Sequence, residues 1–443
     1  MIIRVCIALA VLLACVSHGQ AAPAGTDAGV REALSRSPAV RVIALLDDAE
    51  ALQRDRAALA TQVDALLSQL PADGAHLERR YQTVAAVALT VDADGLAALE
   101  RAPGVRAISL DPGGAGQMLE SGPLAEVDSV RSLGFAGGGR KVAVIDSGIR
   151  LDHQSFAGRV VDQACFCTDC CPNGGSVQLG AGAAADDHGH GTNVTGIAAG
   201  HAAASVPPGA ATAASIVAVK VLNSNNSYCC ASDVIAALDW LRVHHPDIAA
   251  VNLSLGSSAL FPGHCDDAAA WTQAMSAAVN GLAAAGGSVV ACTANQGSSS
   301  SIAAPACLAT TVAVGAVWDA NVGSATVLGC TDATTAADKM TCFSNLSPVA
   351  ALVAPGAWVT SAGIASPTAT STYAGTSMAS PMVAGCLTQL REAFPHLPRL
   401  RLEQALLASP VTVTRPPLTQ RWPRLDCLDA FVRLDAIFAG DFD

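Results

Sequence analysis

The chain has 443 residues, of which 51% are hydrophobic and 14% are charged, and its formal net charge is −12. This composition supports a large buried core in one or two domains and excludes a globally disordered chain. The negative charge argues against nucleic acid, or an anionic membrane surface, as the main partner.

The first residues have the form of a secretory signal peptide. A lone Arg4 precedes an apolar run from Val5 to Val16, and small residues follow, so we predict a signal peptide over residues 1–21. The run is too short to span a membrane, and the sequence offers no other candidate span. We therefore expect a secreted or periplasmic protein. A lipobox-like stretch ending at Cys15 leaves lipid anchoring open as a second interpretation.

The cysteine content is typical of an exported protein. Two of the 15 cysteines fall in the leader, and the 13 that remain are expected to form mainly disulfides. Their odd number predicts at least one free thiol or an intermolecular bond. Cys330 and Cys342 bracket a short polar loop and are predicted to pair, and Cys292 and Cys307 are a second predicted pair.

One loop, Ala164–Gly175, is particularly dense in cysteine. Its spacing is compatible with a metal site. In an exported chain disulfides are favoured, and we predict that they join this loop to Cys229, Cys230 or Cys265.

The segment after the leader has a small α+β pattern. Strand patterns cover 39–46, 83–91 and 105–111, and helix patterns cover 47–70 and 92–102. A stretch rich in Gly, Pro and Ser follows over 111–126 and is predicted to be an exposed, cleavable linker.

From about Arg140, apolar strands alternate with amphipathic helices. The predicted strands are 141–146, 215–222, 248–255, 288–294 and 311–317, and the clearest helices are 232–245 and 266–286. This alternation predicts an α/β domain whose parallel sheet is covered on both faces. In such sheets, functional residues gather at the carboxyl ends of the strands.

Two residues with titratable side chains are candidates for a functional site. Asp146 ends an apolar strand, where an aspartate can equally be a turn or cap residue. His190 opens a helical pattern in the stretch "DDHGHGTNVTG". The alternative for this stretch is a metal cluster that includes Asp186 and Asp187, but no second histidine cluster completes a tetrahedral set.

Two further candidates have equally ordinary alternatives. Asn295 ends another strand, where it can donate to a developing oxyanion or simply favour a turn. Ser377 precedes an apolar helical pattern, where it can be an N-cap or a nucleophile at the positive end of the helix dipole. Pro381 is predicted to fall in the first turn of this helix, where proline is tolerated.

Taken together, the motifs "VIDSG", "HGTNVTG", "ANQG" and "GTSMASP" resemble, in their order, the signatures of the subtilisin-like serine proteases, the subtilase family. The resemblance covers about Leu124 to the C-terminus. It implies a three-layer α/β/α catalytic domain with a parallel sheet over 116–443. It also implies a small α+β inhibitory propeptide, similar to the I9 inhibitor family, over 22–115 with its core at about 40–111.

The resemblance also implies catalytic roles. Ser377 would attack a peptide carbonyl, His190 would take its proton, and Asp146 would orient His190. Asn295 and the backbone N–H of Ser377 would bind the oxyanion. The family histidine is followed by Gly-Thr, which selects His190 rather than His188 as the base.

Substrate binding is implied in the same way. The run Val251–Ser258 resembles the edge strand that pairs with an extended polypeptide substrate, and Ser254, Leu255 and Gly256 would border the first specificity pocket. Catalysis would need no cofactor and no metal. Structural calcium is common in the family, but no ligands are assigned here. We expect a monomer.

Three residues depart from the family pattern. Asn193 replaces a usual histidine, and Thr195 replaces an alanine. Ala294 stands where the family usually has glycine, so its methyl group would narrow the pocket, or cost affinity if the backbone requires a positive φ. These departures affect the expected substrate preference rather than the triad.

The sequence therefore predicts a secreted serine endopeptidase made as a self-processing zymogen, cut between about Asp111 and Ala125. Two alternatives remain open. One is an inactive subtilase-like binding protein, and the other is a self-cleaved protease that retains its propeptide as an inhibitor.

Overall fold

The computed structural model describes residues 25–26, 28–47, 55–80, 85–110 and 118–440. The predicted signal peptide, Cys15 and residues 111–117 of the predicted linker lie outside the described residues. For the later part of that linker the prediction of an exposed segment is wrong, because Met118–Leu124 forms a helix and Ser121, Gly122 and Ala125 are buried. The chain divides into two compact units, Met1–Gly114 and Ala115–Asp443. Among the described residues, no helix combines the length and the apolar character needed to cross a bilayer.

The described residues of the first unit form a five-stranded sheet and three helices. Its elements are β1 (Gly25–Thr26), α1 (Ala28–Leu34), β2 (Val40–Leu46), α2 (Arg56–Leu67), β3 (Ala75–Arg80), β4 (Ala86–Val91), α3 (Ala93–Arg101) and β5 (Val105–Leu110). The strand order is β1-β5-β2-β4-β3. Alternate side chains of β2 are buried, and Asp92 caps α3 by accepting a hydrogen bond from the Gly95 N–H. The α+β pattern expected from the sequence is present.

The second unit is built on an eight-stranded sheet. The unit also contains four two-stranded sheets. The strands of all these sheets are β6 (Lys141–Asp146), β7 (Val160–Phe166), β8 (Val177–Leu179), β9 (Ser215–Lys220), β10 (Ile248–Leu253), β11 (Leu260–Phe261), β12 (Ser288–Cys292), β13 (Ile302–Ala303), β14 (Val312–Val317), β15 (Ala325–Val327), β16 (Cys330–Asp332), β17 (Leu352–Pro355), β18 (Val359–Ala362), β19 (Thr370–Tyr373), β20 (Thr412–Thr414) and β21 (Arg421–Pro423). The order in the main sheet is β17-β14-β12-β10-β6-β9-β7-β8. Only the pairing of β7 with β8 in this sheet is antiparallel. The predicted parallel sheet is confirmed.

Helices cover both faces of this sheet. They are α4 (Met118–Leu124), α5 (Val127–Ser132), α6 (His190–Ala199), α7 (Ala231–His244), α8 (Ala270–Ala284), α9 (Thr376–Ala393), α10 (Arg399–Leu407) and α11 (Cys427–Gly440). Val142 and Val144 of β6 pack in the apolar layer that includes α6 and α9, while Ala143 and Ile145 pack in the layer that includes α7 and α8. Alternate side chains therefore point to opposite helix layers, as the period of a strand requires. This is the predicted three-layer α/β/α arrangement.

Six disulfides occur among the described residues. They are Cys165–Cys171, Cys167–Cys170, Cys229–Cys230, Cys265–Cys307, Cys330–Cys342 and Cys386–Cys427. The prediction of Cys330–Cys342 is confirmed.

Two disulfide predictions are wrong. Cys307 pairs with Cys265 rather than with Cys292, because Cys292 ends the interior strand β12 and is buried as a free thiol. The four cysteines of the loop Ala164–Gly175 pair with one another, since β7 and the turn after it already bring them together. The predicted bonds from this loop to Cys229, Cys230 or Cys265 are therefore absent among the described residues.

Candidate active site

The predicted site residues follow three neighbouring parallel strands. Asp146 is the last residue of β6, Ser254 directly follows β10, and Asn295 follows β12. Because β12, β10 and β6 are adjacent in the sheet, their carboxyl ends lie side by side. His190 begins α6 and Ser377 is the second residue of α9, and these two helices pack against each other.

Asp146 and His190 form a buried pair. The Asp146 Oδ1 atom lies 2.7 Å from His190 Nδ1, and the Ser147 N–H donates to the same oxygen at 2.7 Å. A carboxylate can only accept, so Nδ1 carries the proton and Nε2 of the neutral ring is left as the acceptor. Burial lowers the pKa of His190, but the charge and hydrogen bond of Asp146, with the charge of Asp186, outweigh it and leave the pKa raised.

Ser377 lies in the first turn of α9, and its hydroxyl is turned toward β10 and β12. Its Oγ donates to the Ser254 carbonyl at 3.3 Å and lies 4.0 Å from the Cys292 sulfur. Within the described chain, no hydrogen bond joins this hydroxyl to His190, so a rotation about χ1 is needed to bring the two together. The Ser377 N–H belongs to the first turn of α9, where amide groups have no intrahelical acceptor.

Pro381 leaves the backbone carbonyl of Ser377 without a helical hydrogen-bond donor. It is the sixth residue of α9, so the prediction that it lies in the first turn is wrong. Proline has no N–H, and the Ser377 carbonyl therefore loses its normal helical donor. The Ser254 hydroxyl donates to this carbonyl instead, at 2.7 Å, and is held in turn by Asn252 Nδ2 at 2.9 Å. Ser254 thus anchors the start of the serine helix, a role that the sequence did not predict.

The side chain of Asn295 has one fixed orientation. Its Oδ1 accepts from both the N–H and the hydroxyl of Thr376, each at 2.9 Å. The amide nitrogen is therefore left to donate elsewhere. A Cβ atom on Gly375 would lie only 3.1 Å from this nitrogen, which explains a glycine before the Thr-Ser pair. Sequence reasoning missed these positioning roles of Gly375 and Thr376, although both belong to the "GTSMASP" motif.

A pocket of about 590 Å³ opens beside these groups. The predicted Ser254, Leu255 and Gly256 line it together with Asn295 and Ser377. It is also lined by residues that the sequence did not predict, namely Leu222, Tyr228, Cys229 and Trp271.

The predicted substrate-pairing strand is only partly available. Residues 251–253 belong to β10, which is paired on both sides by β6 and β12, so this part is not an edge strand. Residues 254–258 continue past the sheet along the pocket.

Comparison with known proteins identifies the family. The sequence profile described as "Subtilase family" matches residues 137–421. The chain belongs to the subtilase family of serine-type endopeptidases.

Named relatives agree with this assignment. The chain is 31% identical to the "Extracellular serine proteinase" of Thermus sp. (strain Rt41A), over 77% of this chain and 75% of that protein. It is 32% identical to "Subtilisin DY" of Bacillus licheniformis, over 62% of this chain and 85% of that protein. The crystal structure of a cold adapted subtilisin-like serine proteinase matches with a TM-score of 0.50 and 26% identity, over 66% of this chain and 90% of that one.

Ala294 is an unusual residue for a subtilase. Its φ is +78°, in the left-handed region that favours glycine, and its side chain is almost fully buried. Of the two alternatives that the sequence left open for Ala294, the condition of the second, a positive φ, is met. The residue is held on both sides, because its N–H donates to the Thr376 hydroxyl and its carbonyl accepts from the Asn345 N–H.

The other two departures of this subtilase lie within α6. Asn193 is fully buried, and its Nδ2 donates to the Ser371 carbonyl at 2.6 Å, which ties α6 to β19. Thr195 is also buried. Both residues therefore contribute to the packing of the helix that carries His190.

The metal interpretation of the histidine stretch finds no support in its contacts. Asp187 pairs with the buried Lys220 at 2.7 Å, and the carboxylate of Asp186 is occupied by donors of the protein. In the part of the chain that the structure describes, one group of three potential ligands lies close together, Cys229, Cys230 and Asp233. Its two sulfur atoms are joined in a disulfide.

Proposed function

We propose that this subtilase is a secreted endopeptidase that hydrolyses polypeptides with Asp146, His190 and Ser377 and is made as a self-processing zymogen. The observation that carries the proposal is the buried pair of Asp146 and His190, in which His190 begins the helix α6 that packs against α9, the helix of Ser377. Such a pair supplies an oriented base for an otherwise weak nucleophile.

In the proposed reaction, Ser377 Oγ attacks the scissile carbonyl carbon while its proton moves to His190 Nε2. Asp146 stabilises the resulting imidazolium. The C–N bond then breaks as His190 returns the proton to the leaving amine. A water molecule, deprotonated by His190, then attacks the carbonyl carbon of the acyl-serine ester. The bond from this carbon to Ser377 Oγ breaks, Ser377 Oγ takes the proton back from His190, and the second product leaves as a carboxylic acid.

The oxyanion of the tetrahedral intermediate would be bound by two donors. One is Asn295 Nδ2, whose orientation Thr376 fixes, and the other is the N–H of Ser377 at the start of α9. Side chains and backbone amides therefore suffice for the chemistry, and no cofactor is proposed. Structural calcium stays a prediction without assigned ligands.

Substrate would bind along the pocket that Ser254, Leu255 and Gly256 border. Backbone pairing with an extended polypeptide gives affinity with limited selectivity, and side chains entering the pocket would add the selectivity. We expect the enzyme to act as a monomer.

The first unit would be the inhibitory propeptide. It is a separate compact α+β body, and the family match begins after it, at residue 137. The Gly- and Pro-rich segment between about Asp111 and Ala125 would contain the maturation bond. Export is supported by the form of residues 1–21 and by the relative named as an extracellular proteinase.

Intact mass of the full-length protein and of its Ser377→Ala variant tests this function. We expect the wild type to lose the segment before about residues 111–125 and the variant to keep it. If both proteins keep the segment under folding conditions, self-processing is wrong. If the segment is cut but coelutes with the rest in native gel filtration, the propeptide is retained as an inhibitor.

A further inference from the structure

Asp186 is a carboxylate that the proposed reaction does not use, although it lies four residues before His190. Its Oδ1 accepts hydrogen bonds from the Ser147 hydroxyl at 2.8 Å, the His188 N–H at 3.0 Å and the Gly189 N–H at 2.9 Å. Its Oδ2 accepts from the N–H and the hydroxyl of Thr192, at 3.0 and 2.5 Å. Five donors on two oxygens hold this side chain in one position.

These hydrogen bonds connect the two segments that carry the proposed base and its partner. Ser147 directly follows Asp146 at the end of β6, and its hydroxyl also accepts from the Gly191 N–H at 2.8 Å. Gly191 directly follows His190. Asp186 and Ser147 thus form a polar bridge between the strand end and the first turn of α6, next to the 2.7 Å contact of Asp146 with His190.

The charge of Asp186 also acts on His190. Burial raises the pKa of Asp186, but the hydrogen bonds from Thr192, Gly189, His188 and Ser147 outweigh it, so its pKa is lowered and it is ionised at neutral pH. A negative charge at the N-terminus of α6 is favoured by the helix dipole. After Asp146, it is the other carboxylate that raises the pKa of His190.

Other titratable or charged groups surround the imidazole from each neighbouring element. Asp146 contacts it from β6, the His188 ring lies 6.3 Å away between centroids, and the Tyr373 ring of β19 lies 6.1 Å away. Lys220 of β9 is paired with Asp187 at 2.7 Å, which offsets its positive charge.

We propose that Asp186 is a positioning residue, which holds Asp146 and His190 together and stabilises, as a fixed negative charge, the imidazolium formed when His190 takes the proton of Ser377. This inference rests on the proposed triad. It assigns two separable effects to one side chain, the placement of the pair and the charge beside it.

Three variants of the full chain separate these effects. Asp186→Asn removes the charge and at least one acceptor. Ser147→Ala breaks the bridge but leaves the charge of Asp186. Asp239→Asn removes one negative charge at an exposed position on α7 and is the matched control. Active sites are first counted with a fluorophosphonate, and kcat/KM for a peptide anilide is then measured across pH.

We expect Asp186→Asn to lower kcat/KM about 10- to 100-fold and to move its acid limb to lower pH. Ser147→Ala should lower kcat/KM by about tenfold with the acid limb unchanged. Asp239→Asn should match the wild type in both.

An acid limb of folded Asp186→Asn that coincides with the wild type overturns the proposal. If Asp186→Asn does not fold, Ser147→Ala still tests the proposal. Wild-type kcat/KM in Ser147→Ala would show that the bridge does not position Asp146 and His190, which overturns the positioning role of Asp186. Failure of the wild type itself to react with the fluorophosphonate would instead contradict the proposed triad, so the two failures are distinguishable.

Discussion

Ala294 shows how a single methyl group bears on this site. An L-amino acid in the left-handed region is strained by about 1–2 kcal/mol, whereas glycine is not, although glycine costs about 0.5–1 kcal/mol more backbone entropy on folding. We therefore expect Ala294→Gly to raise the free energy of unfolding by about 0.5–1 kcal/mol. Urea unfolding in a Ser377→Ala background, which prevents self-digestion, measures this difference.

A neighbouring alanine provides the control for this prediction. Ala291 is fully buried within β12, where the backbone is extended, so Ala291→Gly should lower the free energy of unfolding by about 1 kcal/mol. If Ala294→Gly lowers the free energy of unfolding as much as Ala291→Gly does, the left-handed backbone at Ala294 does not strain the protein.

The raised pKa of His190 predicts how activity depends on pH. Only neutral His190 can accept the proton of Ser377, so kcat/KM falls as the pH drops through the pKa of the free enzyme. Because this pKa is raised, the midpoint of the acid limb should lie above 6.5, the ordinary value for histidine. A pH profile with a peptide anilide checks this, and a midpoint at or below 6.5 would show that burial outweighs Asp146 and Asp186.

The candidate site residues could be predicted from the sequence because each lies in a short, specific motif. Their positions in the sheet then followed from the strands that precede them. The hydrogen bonds of Asp186 with Ser147, of Thr376 with Asn295 and of Ser254 with Ser377 could not be predicted, since they join segments that are distant in the chain. The effect of Pro381 was also missed, because it depends on where α9 begins.

Among the elements, α9 and α11 are joined by the disulfide Cys386–Cys427, which closes a loop of 41 residues. Closing a loop of this length removes much unfolded-state entropy, so Cys386→Ala/Cys427→Ala should lower the free energy of unfolding by about 3–4 kcal/mol. Tryptophan fluorescence during urea unfolding reports on the second unit, because all five tryptophans lie there, Trp240, Trp271, Trp318, Trp358 and Trp422.

The bond between adjacent cysteines is the control for this effect. Cys229 and Cys230 are one residue apart and close no loop, so Cys229→Ser/Cys230→Ser should change the free energy of unfolding by less than about 0.5 kcal/mol. Equal losses from the two double variants would mean that loop closure is not what Cys386–Cys427 contributes.

The elements that could be predicted are the strongly apolar ones. The interior strands β6, β9, β10, β12 and β14 are apolar runs because both of their faces are covered. Edge strands lack this signal. β3 has the sequence "AHLERR" and lies at the edge of its sheet, and the prediction missed it, as it did β7 and β8 at the edge of the main sheet.

For the whole molecule, synthesis as a zymogen would allow the protease to fold before it cuts itself. A protease that acts on polypeptides must fold before its own site can cut it. A separate N-terminal unit would be released by a first cleavage in the segment that connects it to the second unit. The disulfides are typical of an exported chain.

The proposed enzyme depends on Ser377 as a nucleophile that His190 activates. The most direct measurement is labelling of the matured enzyme with a fluorophosphonate, followed by mass spectrometry of its peptides. We expect one adduct per active enzyme on Ser377, at least about 10³-fold slower labelling in His190→Ala, and no adduct in Ser377→Ala. Absence of an adduct on the wild type, or an adduct on a different serine, would contradict the proposed active site.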